Sequence, residues 1–124
     1  MNPADLFAHE ENPITIAAGQ TLFHAGDPGD AMFVVLAGSL NVLVGGRVVE
    51  TSRRGALIGE MALVDNSPRG ATVEAVEPSQ LAKVDQRRFQ RLIQQNPFFA
   101  THVMKQLVDR IRSMNQLLAG GQNS

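Results

Sequence analysis

Glu60 and Arg69 are the residues of this 124-residue sequence whose types and spacing point to chemistry. Between them lie a run of good helix formers, Met61-Ala62-Leu63, and a turn-forming stretch, Asp65-Asn66-Ser67-Pro68. Leu57-Ile58 reads as the end of an apolar strand, and Ala71-Thr72-Val73 as a new β-like run. Gly59 stands where a missing Cβ lets a ligand approach the backbone. The first turn of a helix presents unpaired N–H groups and a positive dipole end. Arg69 adds a planar, two-pronged donor suited to a phosphate. A carboxylate repels a phosphate, so Glu60 suits a hydroxyl instead, such as a sugar 2′-OH. Together these features read as a site for a sugar joined to a phosphate. The other use of the two residues is a buried ion pair bracing a loop, but such pairs bring little net stability for their desolvation.

The elements that must hold this stretch are mostly short strands. β-like runs are Ile14–Ile16, Thr21–Phe23, Met32–Leu36, Leu40–Val44, Arg47–Val49, Ala71–Ala75 and Leu81–Val84. Gly26-Asp27-Pro28-Gly29-Asp30 is a strong turn, and Gly45-Gly46 between Val-rich runs is a two-residue hairpin signal. Many short strands with Gly-rich turns predict a sandwich or barrel. Ahead of them, Asn2-Pro3 can cap and start a short helix from Ala4 to about His9, with Leu6 and Phe7 needing something to dock on. After Asp85, a plausible N-cap, Phe89, Leu92 and Ile93 fall at helical spacing. Asn96-Pro97 ends that helix and starts a long amphipathic one on Phe99, Val103, Leu107, Ile111, Met114 and Leu118. Gly120 to Ser124 reads as a frayed tail. Arg53, Arg54, Arg87, Arg88 and Arg91 read as solvated.

Length predicts one domain. With no Trp or Tyr, the core must come from Val, Leu, Ile, Met and six Phe. Eleven Lys and Arg against twelve Asp and Glu give a net charge of −1, which argues against direct nucleic-acid binding by a general basic surface. The absence of Cys excludes disulfides and thiolate-bound metals. No secretory signal is evident at the start, and no apolar run approaches about eighteen residues, so a soluble cytoplasmic domain without membrane contact is expected.

The run Gly59-Glu60-Met61-Ala62-Leu63 followed by Pro68-Arg69-Gly70-Ala71-Thr72-Val73 resembles the phosphate-binding cassette of cyclic nucleotide-binding domains. These occur in kinase regulatory subunits, cyclic-nucleotide-gated channels and the bacterial catabolite activator family. The resemblance extends more weakly from about Ile14 to Leu118. It implies a mainly β fold with flanking helices, a jelly-roll β-roll (double-stranded β-helix). In it, an N-terminal helix (1–13) precedes the roll (14–85), whose cassette is 58–73, and B and C helices follow (86–119). The last helix would fold over the pocket as a lid. It further implies that Glu60 accepts from a ribose 2′-OH beside Gly59. Arg69 would pair with a cyclic phosphate, and the N–H groups of Ala62 and Ala71 would touch phosphate oxygens. In the family the position of Gly70 is often Thr where cGMP is preferred, so its missing hydroxyl favours cAMP, with cGMP the alternative ligand. Arg110 lies on the flank of the lid's apolar stripe, and an arginine near this place caps the base in related channel domains. A solvated surface position is the other reading of Arg110.

No cofactor, metal or catalysis is expected. His9, His24 and His102 have no ligand spacing, and metal-using jelly rolls need clustered His and Glu. A Ser–His–Asp arrangement has nothing to support it. The expected mechanism is a ligand-driven shift of the lid that an effector protein or domain reads. The chain is expected to act as a stand-alone receptor or as the sensor part of a longer regulator or channel. A third reading is a ligand-free structural domain forming a homodimer through the C helix.

Overall fold

The computed structural model describes residues 2–122. A 3-10 turn, Pro3–Phe7, is followed by strands β1 (Ile14–Ile16), β2 (Thr21–Phe23), β3 (Ala31–Ala37), β4 (Ser39–Val44), β5 (Arg47–Arg53) and β6 (Leu57–Ile58). Helix α1 (Met61–Asp65) precedes β7 (Thr72–Ala75) and β8 (Ser79–Asp85), and α2 (Gln86–Gln95) and α3 (Pro97–Gln122) end the chain. The strands form two four-stranded sheets, β1-β8-β3-β6 and β2-β7-β4-β5, with every pair antiparallel. This is the expected β-roll with flanking helices.

β3 explains how the layers stack. Met32, Phe33, Val34 and Val35 are all buried, because both faces of the strand are covered. Phe33 and Val35 join Leu40, Ile58, Val73, Ala75 and Leu81 inside the roll. Met32 and Val34 face the other way, with Leu57, Ala82, Val84, Phe7, Phe99 and Val103. The first sheet therefore separates two cores, one between the sheets and one beneath the helices.

Phe99 anchors the helical side. It is fully buried, with Phe7 and Phe89 edge-on at 6.3 and 6.1 Å between ring centroids. Burying such a ring stabilises by about 2–3 kcal/mol, and this one ties the N-terminal turn, α2 and α3 together. The docking that Leu6 and Phe7 required is thus met, although the turn is 3-10 and closes at Phe7 rather than His9. Asn2 caps it through Ala4 N at 2.9 Å, and Asp85 caps α2 through Arg88 N at 2.8 Å.

Three expectations change. Arg88 is not solvated: it pairs with Glu10 at 2.7 Å, donates to the Lys83 carbonyl at 2.9 Å and lies over the Phe7 ring. Its long stem reaches back to a loop 78 positions earlier, which local spacing cannot reveal. The expected tail at Gly120 is helical through Gln122, although each glycine costs about 1 kcal/mol in a helix relative to alanine; Asn123 and Ser124 lie outside the described residues. Finally, the stripe on α3 divides. Phe99 and Val103 are buried and Leu107 half-buried, but Ile111 is exposed, with Met104 and Val108 beside it. Arg110 is the last residue of α3 with a hydrogen bond to the roll among the described residues. The side chains of Met114 and Leu118 lie outside the described set.

Candidate functional site

β6 is the edge strand of its sheet and delivers the chain to Gly59. Gly59 takes φ +76°, a backbone region that favours glycine, and a Cβ there would collide with the Arg69 guanidinium. Glu60 follows at the N-cap of α1. The helix is one turn long and closes on Asn66, which adopts the left-handed conformation (φ 57°). Its first N–H groups are used locally: Ala62 N–H donates to the Gly59 carbonyl at 3.2 Å and Leu63 N–H to the Glu60 carbonyl at 3.1 Å.

Arg69 is fastened before its side chain enters the site. Its N–H donates to the Asp27 carbonyl at 2.8 Å, and its own carbonyl accepts from Gly26 N–H at 2.7 Å. The expected turn at 26–30 is therefore the strap that holds Arg69. The guanidinium is 4.3 Å from the Phe23 ring centre and 5.7 Å from that of Phe33. Nη1 donates to the Gly59 carbonyl at 3.3 Å, and Nε has no partner among the described residues. A Cβ at Gly29 would stand 2.7 Å from Nε, so both glycines make room for this one side chain. Burial lowers the guanidinium pKa, and Asp30 and Asp27 oppose that shift. An arginine starts so high that it stays charged at neutral pH.

Glu60 is buried, at 1% exposure. Its Oε1 pairs with Arg110 Nη1, while Oε2 has no partner among the described residues. Arg110 Nη2 reaches Glu50 Oε2 at 3.0 Å and the Leu57 carbonyl at 3.1 Å. One helical turn earlier, Gln106 hydrogen-bonds the Leu57 backbone. α3 is thus fastened to β6 two and three residues before the glycine and glutamate of the cassette.

The structure brings Gly59, Ala62 and Arg69 close together, with Glu60 following Gly59 in the chain. Glu60 and Arg69 do not pair with each other, so the loop-bracing ion pair is not what forms; the partner of Glu60 is Arg110. Ala71 is half-buried just before β7. Gly70 is exposed, and a Cβ there would meet nothing within 4 Å. Sequence reasoning missed Glu50, Gln106, Phe23 and Phe33. Glu50 was hidden because the β-like run was ended at Val49, whereas β5 runs to Arg53. Gln106 had a signal: a polar residue beside Val103 and Leu107, one turn before Arg110.

The site holds a buried carboxylate with one unpaired oxygen and, fastened to the Gly59 carbonyl one residue before it, a buried guanidinium with an unpaired N–H. That pairing fits a ligand that donates one hydroxyl and carries one negative charge. Residues 13–96 match the sequence profile of the cyclic nucleotide-binding domain. The chain belongs to the cyclic nucleotide-binding domain family. Among its relatives, a cyclic nucleotide-gated potassium channel of Mesorhizobium japonicum is 36% identical over 96 residues, covering 77% of this chain and 26% of the channel. A lysophospholipase (nte1) of Aspergillus oryzae is 32% identical over 109 residues, covering 84% of this chain and 7% of that protein. The chain therefore spans a small part of these curated relatives. The catabolite activator protein of Thermus thermophilus superposes with a TM-score of 0.76 at 26% identity, covering 91% of this chain and 61% of that one. As a cyclic nucleotide-binding domain, the chain has the β-roll and flanking helices of this family. Among the described residues, no cluster of three His, Asp or Glu could hold a metal, and no helix is long and apolar enough to cross a membrane.

Proposed function

We propose that this domain is a non-catalytic receptor for a cyclic nucleotide, cAMP in preference to cGMP. The observation that carries the reading is the buried Glu60 with its unpaired Oε2, and the buried Arg69 held on the Gly59 carbonyl one residue earlier. An unpaired buried carboxylate oxygen is costly, and a ribose 2′-OH would satisfy it. Arg69, stacked and charged, would neutralise the cyclic phosphate. Family resemblance also gives the N–H groups of Ala62 and Ala71 to the phosphate. Since Ala62 N–H already donates to the Gly59 carbonyl, its share is a three-centre one. Gly70 lacks a hydroxyl for a guanine amino group, which supports cAMP. Arg110 is the lid's contact with the site. Ligand binding would shift the population of α3 positions, and an effector protein, or a further domain, would read the change. Equilibrium binding of cAMP, cGMP and the linear 5′-AMP tests this: saturable binding of a cyclic nucleotide and none of 5′-AMP supports the receptor, and no binding of any of them overturns it.

A second reading rests on the exposed Met104, Val108 and Ile111 of α3. They would let two copies pair along this helix. Sedimentation of the wild type against Val108→Glu is its test: a dimer that the substitution dissolves supports it, and a monomeric wild type ends it.

A further inference from the structure

Arg110 lies between two carboxylates that come from different parts of the fold. Nη1 goes to Oε1 of Glu60 in the cassette, and Nη2 goes to Oε2 of Glu50 on β5, 3.0 Å away. Glu50 pairs across the ladder with Val42, in register one step beyond the buried Ser52–Leu40 pair. It therefore sits on the inward side of its sheet, at the rim beneath α3. A guanidinium in a protein prefers to grip one carboxylate with two parallel N–H donors, fork on fork. Here the fork is spread, one nitrogen to each carboxylate, with Nη2 also donating to the Leu57 carbonyl at 3.1 Å. The consequence falls on Glu60: one of its oxygens is held and the other is left open.

We propose that Glu50 is a positioning residue that keeps Oε2 of Glu60 available to a ligand hydroxyl, an inference that rests on the receptor reading above. It does so by competing for Arg110. With Glu50 present, Nη2 is drawn away from the cassette. Without it, Nη2 swings onto Oε2 of Glu60, and the two-pronged pair covers the oxygen that the sugar hydroxyl needs. Glu50 touches the ligand in neither state; it acts through Arg110 alone. Its effect is therefore confined to ligands that carry the hydroxyl. A general weakening of the fold or of the lid would instead lower the affinity of every cyclic nucleotide by the same factor.

Calorimetric titration with cAMP and with 2′-deoxy-cAMP separates these outcomes, using the wild-type chain, Glu50→Ala and Glu50→Gln. In the wild type, cAMP binds about tenfold or more tightly than the deoxy analogue, the difference expected for a hydroxyl hydrogen-bonded to a buried charge. In Glu50→Ala this preference collapses, with cAMP weakened and the deoxy analogue nearly unchanged. In Glu50→Gln it is partly restored, because the amide oxygen still accepts from Nη2. With a side chain 39% exposed, Glu50 is open enough for both substitutions to fold, which melting curves verify. An equal loss for both nucleotides, or an unchanged preference, overturns the proposal while leaving the receptor intact. A wild type that binds both nucleotides equally also overturns it, since Glu60 would then not be the hydroxyl acceptor. A wild type that binds neither removes the receptor reading itself.

Discussion

Gln106 closes its side-chain amide on both polar groups of the Leu57 backbone: Oε1 accepts the Leu57 N–H at 3.0 Å, and Nε2 donates to the Leu57 carbonyl. β6 is an edge strand, so these groups face away from β3 and would otherwise need water. The amide of α3 thus serves as one more rung of the ladder. Gln106→Ala removes both bonds and leaves the N–H of the buried Leu57 without a partner, while its carbonyl keeps Arg110 Nη2 at 3.1 Å. We expect a loss of about 1–3 kcal/mol in chemical denaturation, with faster hydrogen exchange at the Leu57 amide. Unchanged exchange at Leu57 would show that the contact does not hold in solution.

Phe23 supports Arg69 from below at 4.3 Å. Phe23→Leu keeps an apolar side chain but removes the aromatic face. Nucleotide affinity should fall by about 0.5–2 kcal/mol, with stability changed less than affinity. Equal affinity in the two proteins would mean that the ring only packs.

Gly29 and Gly70 make opposite predictions although both adjoin Arg69. A Cβ at Gly29 would press on Arg69 Nε at 2.7 Å, so Gly29→Ala displaces the guanidinium and weakens binding of cAMP and cGMP together. Gly70 faces open space, so Gly70→Thr is accommodated and adds a hydroxyl. Relative affinity should move toward cGMP by about 1 kcal/mol, the net worth of one hydrogen bond. Direct competition between the two nucleotides measures it, and a ratio that stays put would contradict the role given to this position.

Phe99 holds the helical layer. Phe99→Ala should cost about 3–5 kcal/mol of stability, since the ring is fully buried between Phe7 and Phe89. A loss under about 1 kcal/mol in denaturant unfolding would place the anchor elsewhere in the layer.

How far the sequence foretold all this depended on whether the deciding contact was local. Gly59, Glu60, Ala62 and Arg69 sit within eleven residues, and strand, turn and helix formers in that stretch act on near neighbours. The Asp85 and Asn2 caps were legible for the same reason. Arg88 with Glu10, Gln106 with Leu57, and Arg110 with Glu50 span 78, 49 and 60 positions. Only the packing of the helices against the roll brings them together. The helical wheel put Arg110 on the flank of the α3 stripe, but only the fold supplied its two carboxylates. The splitting of the α3 stripe, with Leu107 half-buried and Ile111 exposed, is likewise set by what packs against the helix, which periodicity along one helix does not encode.

Arg69 is the centre of the account, and calorimetric titration of the purified chain with cAMP, in the wild type and in Arg69→Ala, tests it most directly. Bound nucleotide is stripped beforehand. The account predicts saturable binding by the wild type and a loss on the order of 2–4 kcal/mol in the variant, as a charge-assisted contact to the phosphate disappears. Equal affinity in the two proteins would contradict it.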